Sequence, residues 1–197
     1  MSSPIGHSLI GGSFYYLFNH GLGIKKKWNQ LAFYIFASIA PDLDLIPGIF
    51  IGAANKYHHG ATHSLGAALL FGLFMAVIFK WKKNTTFHIA FLIFFALYFV
   101  HVLIDAAAVD LRPPLGVELL WPFSSKYFIA PFRIFPPVHK KNIMDLISFD
   151  NFVTGAIELG IFLPILFLSY WYRVRNLNNK NADILHLIPH IKIQKNK

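Results

Sequence analysis

The sequence contains no cysteine, which excludes a disulfide framework, a thiolate zinc site and a cysteine nucleophile; any bound metal must rest on His, Asp or Glu. It is also poor in charge: 14% of its 197 residues are charged, and only 9 are acidic. In their place stand 55% hydrophobic and 17% aromatic residues, a balance that fits a membrane protein and not a soluble domain. The formal charge of +9 would suit nucleic acid, but the lysines and arginines fall in short clusters at the ends of apolar runs. There they orient spans and meet anionic lipid, so membrane lipid is the expected partner and nucleic acid is not. The first residues lack the basic start and small-residue cleavage site of a signal peptide and are read as part of the mature chain.

Apolar length divides the chain into a short Gly-interrupted segment from Ser8 to Ile24, then runs from Trp28 to Ala53, Ser64 to Phe79, Phe87 to Ile104 and Phe152 to Tyr172. The expected class is all-α, a polytopic membrane protein with about four to five transmembrane or re-entrant helices. Residues 1–175 form a single membrane domain, and 176–197 a polar, basic and loosely ordered tail. A long Pro- and aromatic-rich loop joins the last two runs, too long for a simple connector and expected to fold over something. Lys25 to Lys27, Lys80 with Lys82 and Lys83, and Arg173 with Arg175 mark one side of the membrane, taken as cytoplasmic.

Ionisable groups inside spans are costly and usually functional. Counting about 1.5 Å per residue from the basic boundary places His7, Asp42, His63, His101 and Glu158 at a common depth of roughly 22–27 Å, towards the outer leaflet. Pro41 and Pro47 break the backbone around Asp42 and Asp44, and irregular backbone at that depth suits the lining of a cavity. In HVLID, His101 and Asp105 stand at i and i+4 on one helical face, spaced to chelate a cation or to pair with each other. Such a set, without thiolate, suits one or more zinc or similar divalent ions, at a hydrolytic or a transport site. His20, His88, His139, His186 and His190 are assigned to surfaces and interfaces.

Five segments in order, GH at 6–7, PDLD at 41–44, HHGATHS at 58–64, HVLID at 101–105 and GVELLWPFS at 116–124, make this sequence resemble the YdjM-like family of bacterial inner-membrane proteins described as metal-dependent hydrolases. The resemblance covers residues 1 to about 160. It implies a multi-span helical protein of the inner membrane with a divalent-metal site of one to three ions, remotely like the zinc-dependent phospholipase C and single-strand nuclease group. Carried over by position, it implies metal binding by His7, Asp42, His58, His63, His101 and Asp105, with Asp44 as a further carboxylate. His59 stands where the family often has Arg, and Ala106 to Ala108 replace a polar stretch, so departures fall on the substrate-contacting positions.

The resulting expectation is a metal-dependent phosphoester hydrolase acting on a phospholipid or other membrane-associated phosphate ester. Asp44 or Glu158 would serve as general base, and His59, Arg112, Trp121, Lys126 and Arg133 would handle substrate beneath a cap at Trp121-Pro122-Phe123. The rival readings are a metal-ion or proton transporter using the same ligands and a non-catalytic membrane protein with a structural metal. An intramembrane metalloprotease is excluded by the lack of H-E-x-x-H. Within HHGATHS, Gly60 and Ala61 are expected in a turn, with Thr62 capping a helix that His63 opens.

Overall fold

The computed structural model describes residues 3–18, 22, 24–51, 57–82, 85–111, 113–138 and 148–186; the side chains of 49 and 178–186 lie outside that description. The described chain is all-helical apart from two isolated β-bridges. Helix α1 runs Pro4–Phe18 and α2 Lys27–Ile39, followed by a 3-10 turn Ala40–Asp44 and the short α3 Leu45–Phe50; α4 spans Leu65–Lys82, α5 Phe87–Ala106 and α6 Phe149–His186.

Four helical segments are long and apolar enough to cross a membrane: Lys27–Gly48, Leu65–Lys82, Phe87–Ala106 and Phe149–Leu177. Their outer faces stay apolar, with Leu70, Phe74, Leu92 and Phe167 each about 60% exposed, as hydrocarbon requires. The first expected segment is different. At 15 residues α1 reaches about 22 Å, short of a bilayer core of about 30 Å. It is nevertheless held deep in the bundle, against α2 and α6. Gly11 permits this, since a Cβ there would lie 2.6 Å from Ser38 Oγ and 2.9 Å from the Ile35 Cα.

Helices α4 and α5 pack as an antiparallel pair, and α2 lies against α5. At their basic end the core is apolar and aromatic, built on Tyr34, Phe79, Phe94 and Leu97. Trp28 and Trp81 project outward there beside lysines, the placement of interfacial anchors. Of the two prolines expected to interrupt the second run, only Pro41 coincides with a break, the 3-10 turn. Pro47 sits in the first turn of α3, where no helical N–H is missed. Helix α6 runs on past Arg175 to His186.

The loop between α5 and α6 folds back over the opposite, non-basic end. Its Leu119 and Trp121 carbonyls accept the Leu65 and Gly66 N–H groups at 2.9 and 3.2 Å, satisfying donors that open α4. Gly66 is required for that approach, since a Cβ would lie 2.4 Å from the Trp121 oxygen. Val117 and Phe128 exchange hydrogen bonds at 3.0 and 2.8 Å, and Ala130 N–H donates to the Ala106 carbonyl at 2.9 Å, closing the loop on the end of α5.

Candidate metal centre

Beneath that loop lies a knot of His and Asp drawn from four separate segments of the chain. His7 comes from α1, Asp42 and Asp44 from the 3-10 turn, His58, His59 and His63 from the turns before α4, and His101 with Asp105 from α5. The 3-10 turn carries Pro41 near its start, and both Asp42 and Asp44 on it reach the histidines of the knot. Ser64, not Thr62, caps α4: its Oγ accepts the Ala67 N–H at 3.0 Å, and the helix begins at Leu65. The Thr62 hydroxyl instead donates to Asp44 Oδ2 at 2.6 Å. His63 therefore stands just ahead of the helix and points into the knot.

Four ligand atoms converge. His63 Nε2 and His101 Nε2 are 3.3 Å apart; each lies close to Asp105 Oδ2, at 3.3 and 3.2 Å, and to Asp42 Oδ1, at 3.7 and 3.5 Å. An ion bound tetrahedrally at about 2.0–2.2 Å sets donor–donor edges of about 3.3–3.6 Å, which these spacings match. The rear of each imidazole is already held. His101 Nδ1 donates to the Ser38 carbonyl at 2.8 Å, and since a carbonyl only accepts, Nε2 carries the lone pair in the neutral ring. His63 Nδ1 faces Asp44 Oδ2 at 3.1 Å. Carboxylates and carbonyls behind imidazoles are how proteins fix metal-binding histidines. Neither Asp42 oxygen has a hydrogen-bond partner among the described residues, although both are buried. Two buried, unbonded carboxylate oxygens beside two imidazole lone pairs form a donor set that fits a divalent ion.

Asp44, expected as a base, lies behind the imidazoles: it engages His58 Nδ1 at 2.8 Å as well as Thr62 and His63. Glu158, the other expected base, accepts hydrogen bonds from the Ser3 amide, at 2.7 Å, and the Ser3 hydroxyl. It belongs to neither group of convergent ligands. Its depth is shared with the knot, but α6 presents it to the start of α1. His7 does join the knot, stacking on His101 with ring centres 3.6 Å apart and placing Nε2 3.4 Å from Asp105 Oδ1.

His59, expected to contact substrate, is instead 4% exposed, with Nε2 3.6 Å from Asp105 Oδ2. Its other nitrogen meets Asp110 Oδ2 at 3.3 Å, and the same oxygen accepts the Gly116 N–H at 2.8 Å. Asp110 escaped sequence reading because it sits in the Pro-rich loop, outside any helical spacing. Burial raises its pKa, but the hydrogen bonds from His59 and the Gly116 amide outweigh that and hold it below the usual carboxylate range. Lys126 and Arg133 are exposed on the loop and Trp121 is half-buried; Arg112 lies outside the described residues. His88 is exposed, as expected, whereas His20, His139 and His190, and the side chain of His186, lie outside the description.

A helical bundle that encloses a His and carboxylate knot at one end defines a membrane protein with a potential metal centre. The chain belongs to the YdjM inner membrane protein family, which it matches over residues 1–180. Searches of curated proteins and of solved structures returned no match.

Proposed function

We propose that this protein is a metal-dependent hydrolase of phosphoesters carried by membrane lipids. The observation that carries the reading is the convergence of Asp42 Oδ1, His63 Nε2, His101 Nε2 and Asp105 Oδ2 at edges near those of a tetrahedral site. A divalent ion, zinc by its preference for imidazole and carboxylate, would supply Lewis acidity and a more acidic water. Hydrolysis would join the water oxygen to phosphorus and release the lipid alcohol with a proton. Lys126 and Arg133, on the loop that closes over the knot, supply charge for the phosphate. By the distribution of lysine and arginine this end faces the outer leaflet, where a substrate can remain in the bilayer.

An ion pathway is the lesser reading, because the core towards the basic end is packed with Tyr34, Phe79, Phe94 and Leu97 and offers no comparable ligand set among the described residues. The deciding experiment incubates purified, zinc-loaded protein with mixed phospholipid vesicles and follows release of phosphate or phosphorylated headgroup, with zinc flux into proteoliposomes as the rival readout. Release abolished by His101→Ala supports the hydrolase; flux without release overturns it.

A further inference from the structure

The loop that covers the knot exposes large apolar side chains. Phe123 is 94% and Phe132 77% accessible, and Leu120, Phe128 and Ile134 of the same loop are exposed as well. Single apolar side chains on a surface are ordinary, but several aromatic ones in one short loop mark a contact. Depth says with what. Helix α4 has 18 residues and is about 27 Å long, and α5 has 20 and is about 30 Å long, against a hydrocarbon core of about 30 Å. With Lys80, Trp81 and Lys82 at the basic edge, Leu65 and Gly66 only just reach the other edge. The loop is hydrogen-bonded to these two residues through its Leu119 and Trp121 carbonyls, while its Ala130 and Ile134 N–H groups donate to the Ala106 and Ala107 carbonyls at the end of α5. It is therefore tied down where hydrocarbon gives way to headgroups, not out in bulk water.

The backbone at the tip suits that level. The Leu120 carbonyl accepts the Phe123 N–H at 2.9 Å and the Ser124 N–H at 3.2 Å, and the Glu118 carbonyl accepts the Trp121 N–H at 3.1 Å. The turn that carries Phe123 thus meets much of its own hydrogen-bonding need, as a segment next to hydrocarbon must. Charge agrees. From Leu119 to Val138 the chain has two cations, Lys126 and Arg133, both exposed, and no acidic residue. Anionic phospholipid headgroups complement that set.

We propose that the loop is an interfacial membrane anchor: Phe123 and Phe132 insert into the leaflet at the end of the bundle opposite the basic clusters, and Lys126 and Arg133 meet the phosphates of anionic phospholipid there. Long cationic side chains reach headgroups while apolar neighbours stay in the acyl boundary, so one short segment makes both contacts. The contact depends neither on an ion in the knot nor on the hydrolase reading.

The test puts nitroxide labels on single cysteines, Phe123→Cys or Phe132→Cys, in the full, cysteine-free chain, reconstituted in vesicles of phosphatidylethanolamine and phosphatidylglycerol. Collisions with oxygen, which partitions into lipid, are compared with collisions with a water-soluble nickel chelate. Phe74→Cys, exposed on the lipid-facing side of α4, is the lipid reference, and Lys26→Cys, exposed at the opposite membrane edge, shows whether the probe by itself seeks lipid. The labels at 123 and 132 should favour oxygen over the nickel chelate several-fold more than the label at 26. Adding Lys126→Glu and Arg133→Glu should raise nickel access at 123 several-fold, an effect that vesicles of phosphatidylcholine alone should abolish. Nickel access at 123 and 132 equal to that at 26 overturns the proposal. So does protection from both reagents, which would mean that a second copy of the chain or another protein covers the loop. Access indifferent to the two charge reversals overturns the part given to Lys126 and Arg133.

Discussion

His63 and His101 present their Nε2 atoms to one another across 3.3 Å while 38 residues separate them in the chain. Each ring is fixed from behind by a different acceptor, Asp44 for His63 and the Ser38 carbonyl for His101. Two facing lone pairs repel unless a proton or a cation lies between them, so this pair is the most direct sign of what the knot was built to hold.

Removing either ring should therefore remove the ion. In His63→Ala and in His101→Ala, elemental analysis of the purified protein is expected to show loss of the tightly bound divalent metal, whereas His88→Ala, an exposed control, should retain it. Full metal retention in both knot variants would rule out the four-ligand site.

Asp44 acts through the imidazoles it holds. Asp44→Asn keeps a hydrogen-bond acceptor but loses the charge that raises ligand basicity, and zinc affinity should fall about 10- to 100-fold with the helical circular dichroism unchanged. If Asp44 were instead the base, the same variant would lose turnover at saturating zinc and keep its affinity.

Metal binding should weaken as the solution is acidified. The ligand imidazoles must be neutral to bind, so protons compete with the ion, and zinc competition assays should show affinity falling steeply as the pH is lowered. For the same reason chelation at neutral pH should lower the melting temperature in detergent: an ion at 100 times its Kd stabilises by about 2.7 kcal/mol. A melting temperature indifferent to both chelator and added zinc would show that no ion binds the folded state.

The loop is clamped by backbone contact at Gly66, where a Cβ would stand 2.4 Å from the Trp121 oxygen. Gly66→Ala should displace the loop at a cost of about 1–3 kcal/mol, read as a lower melting temperature together with faster proteolysis between Trp121 and Tyr127. Unchanged protection of that segment would mean the loop is anchored elsewhere.

The absence of native cysteine makes topology directly testable. With single cysteines at Lys82 or Ser125, an impermeant thiol reagent applied to intact cells should label Ser125→Cys and spare Lys82→Cys. The reverse pattern would place the knot at the cytoplasmic leaflet.

Much of this architecture was legible in the chain itself. Long apolar runs with little charge specify membrane helices, since a bilayer leaves the backbone few other ways to satisfy its hydrogen bonds. Lack of cysteine limits ligands to imidazole and carboxylate, and i, i+4 spacing sets His101 and Asp105 on one face. Four of the five groups placed at a common depth, His7, Asp42, His63 and His101, do meet.

Tertiary structure decided which of those groups face one another, because depth counted along separate helices says nothing of rotation about their axes. Glu158 shares the layer but turns to Ser3. His59, in a turn without periodicity, reaches the knot only through a left-handed backbone angle. Asp110 enters because the loop folds back over the helix ends. Sequence thus determined a membrane bundle and the kinds of ligand it can offer; packing alone decided which carboxylates face the knot and which hold its imidazoles from behind, since that depends on contacts between segments far apart in the chain.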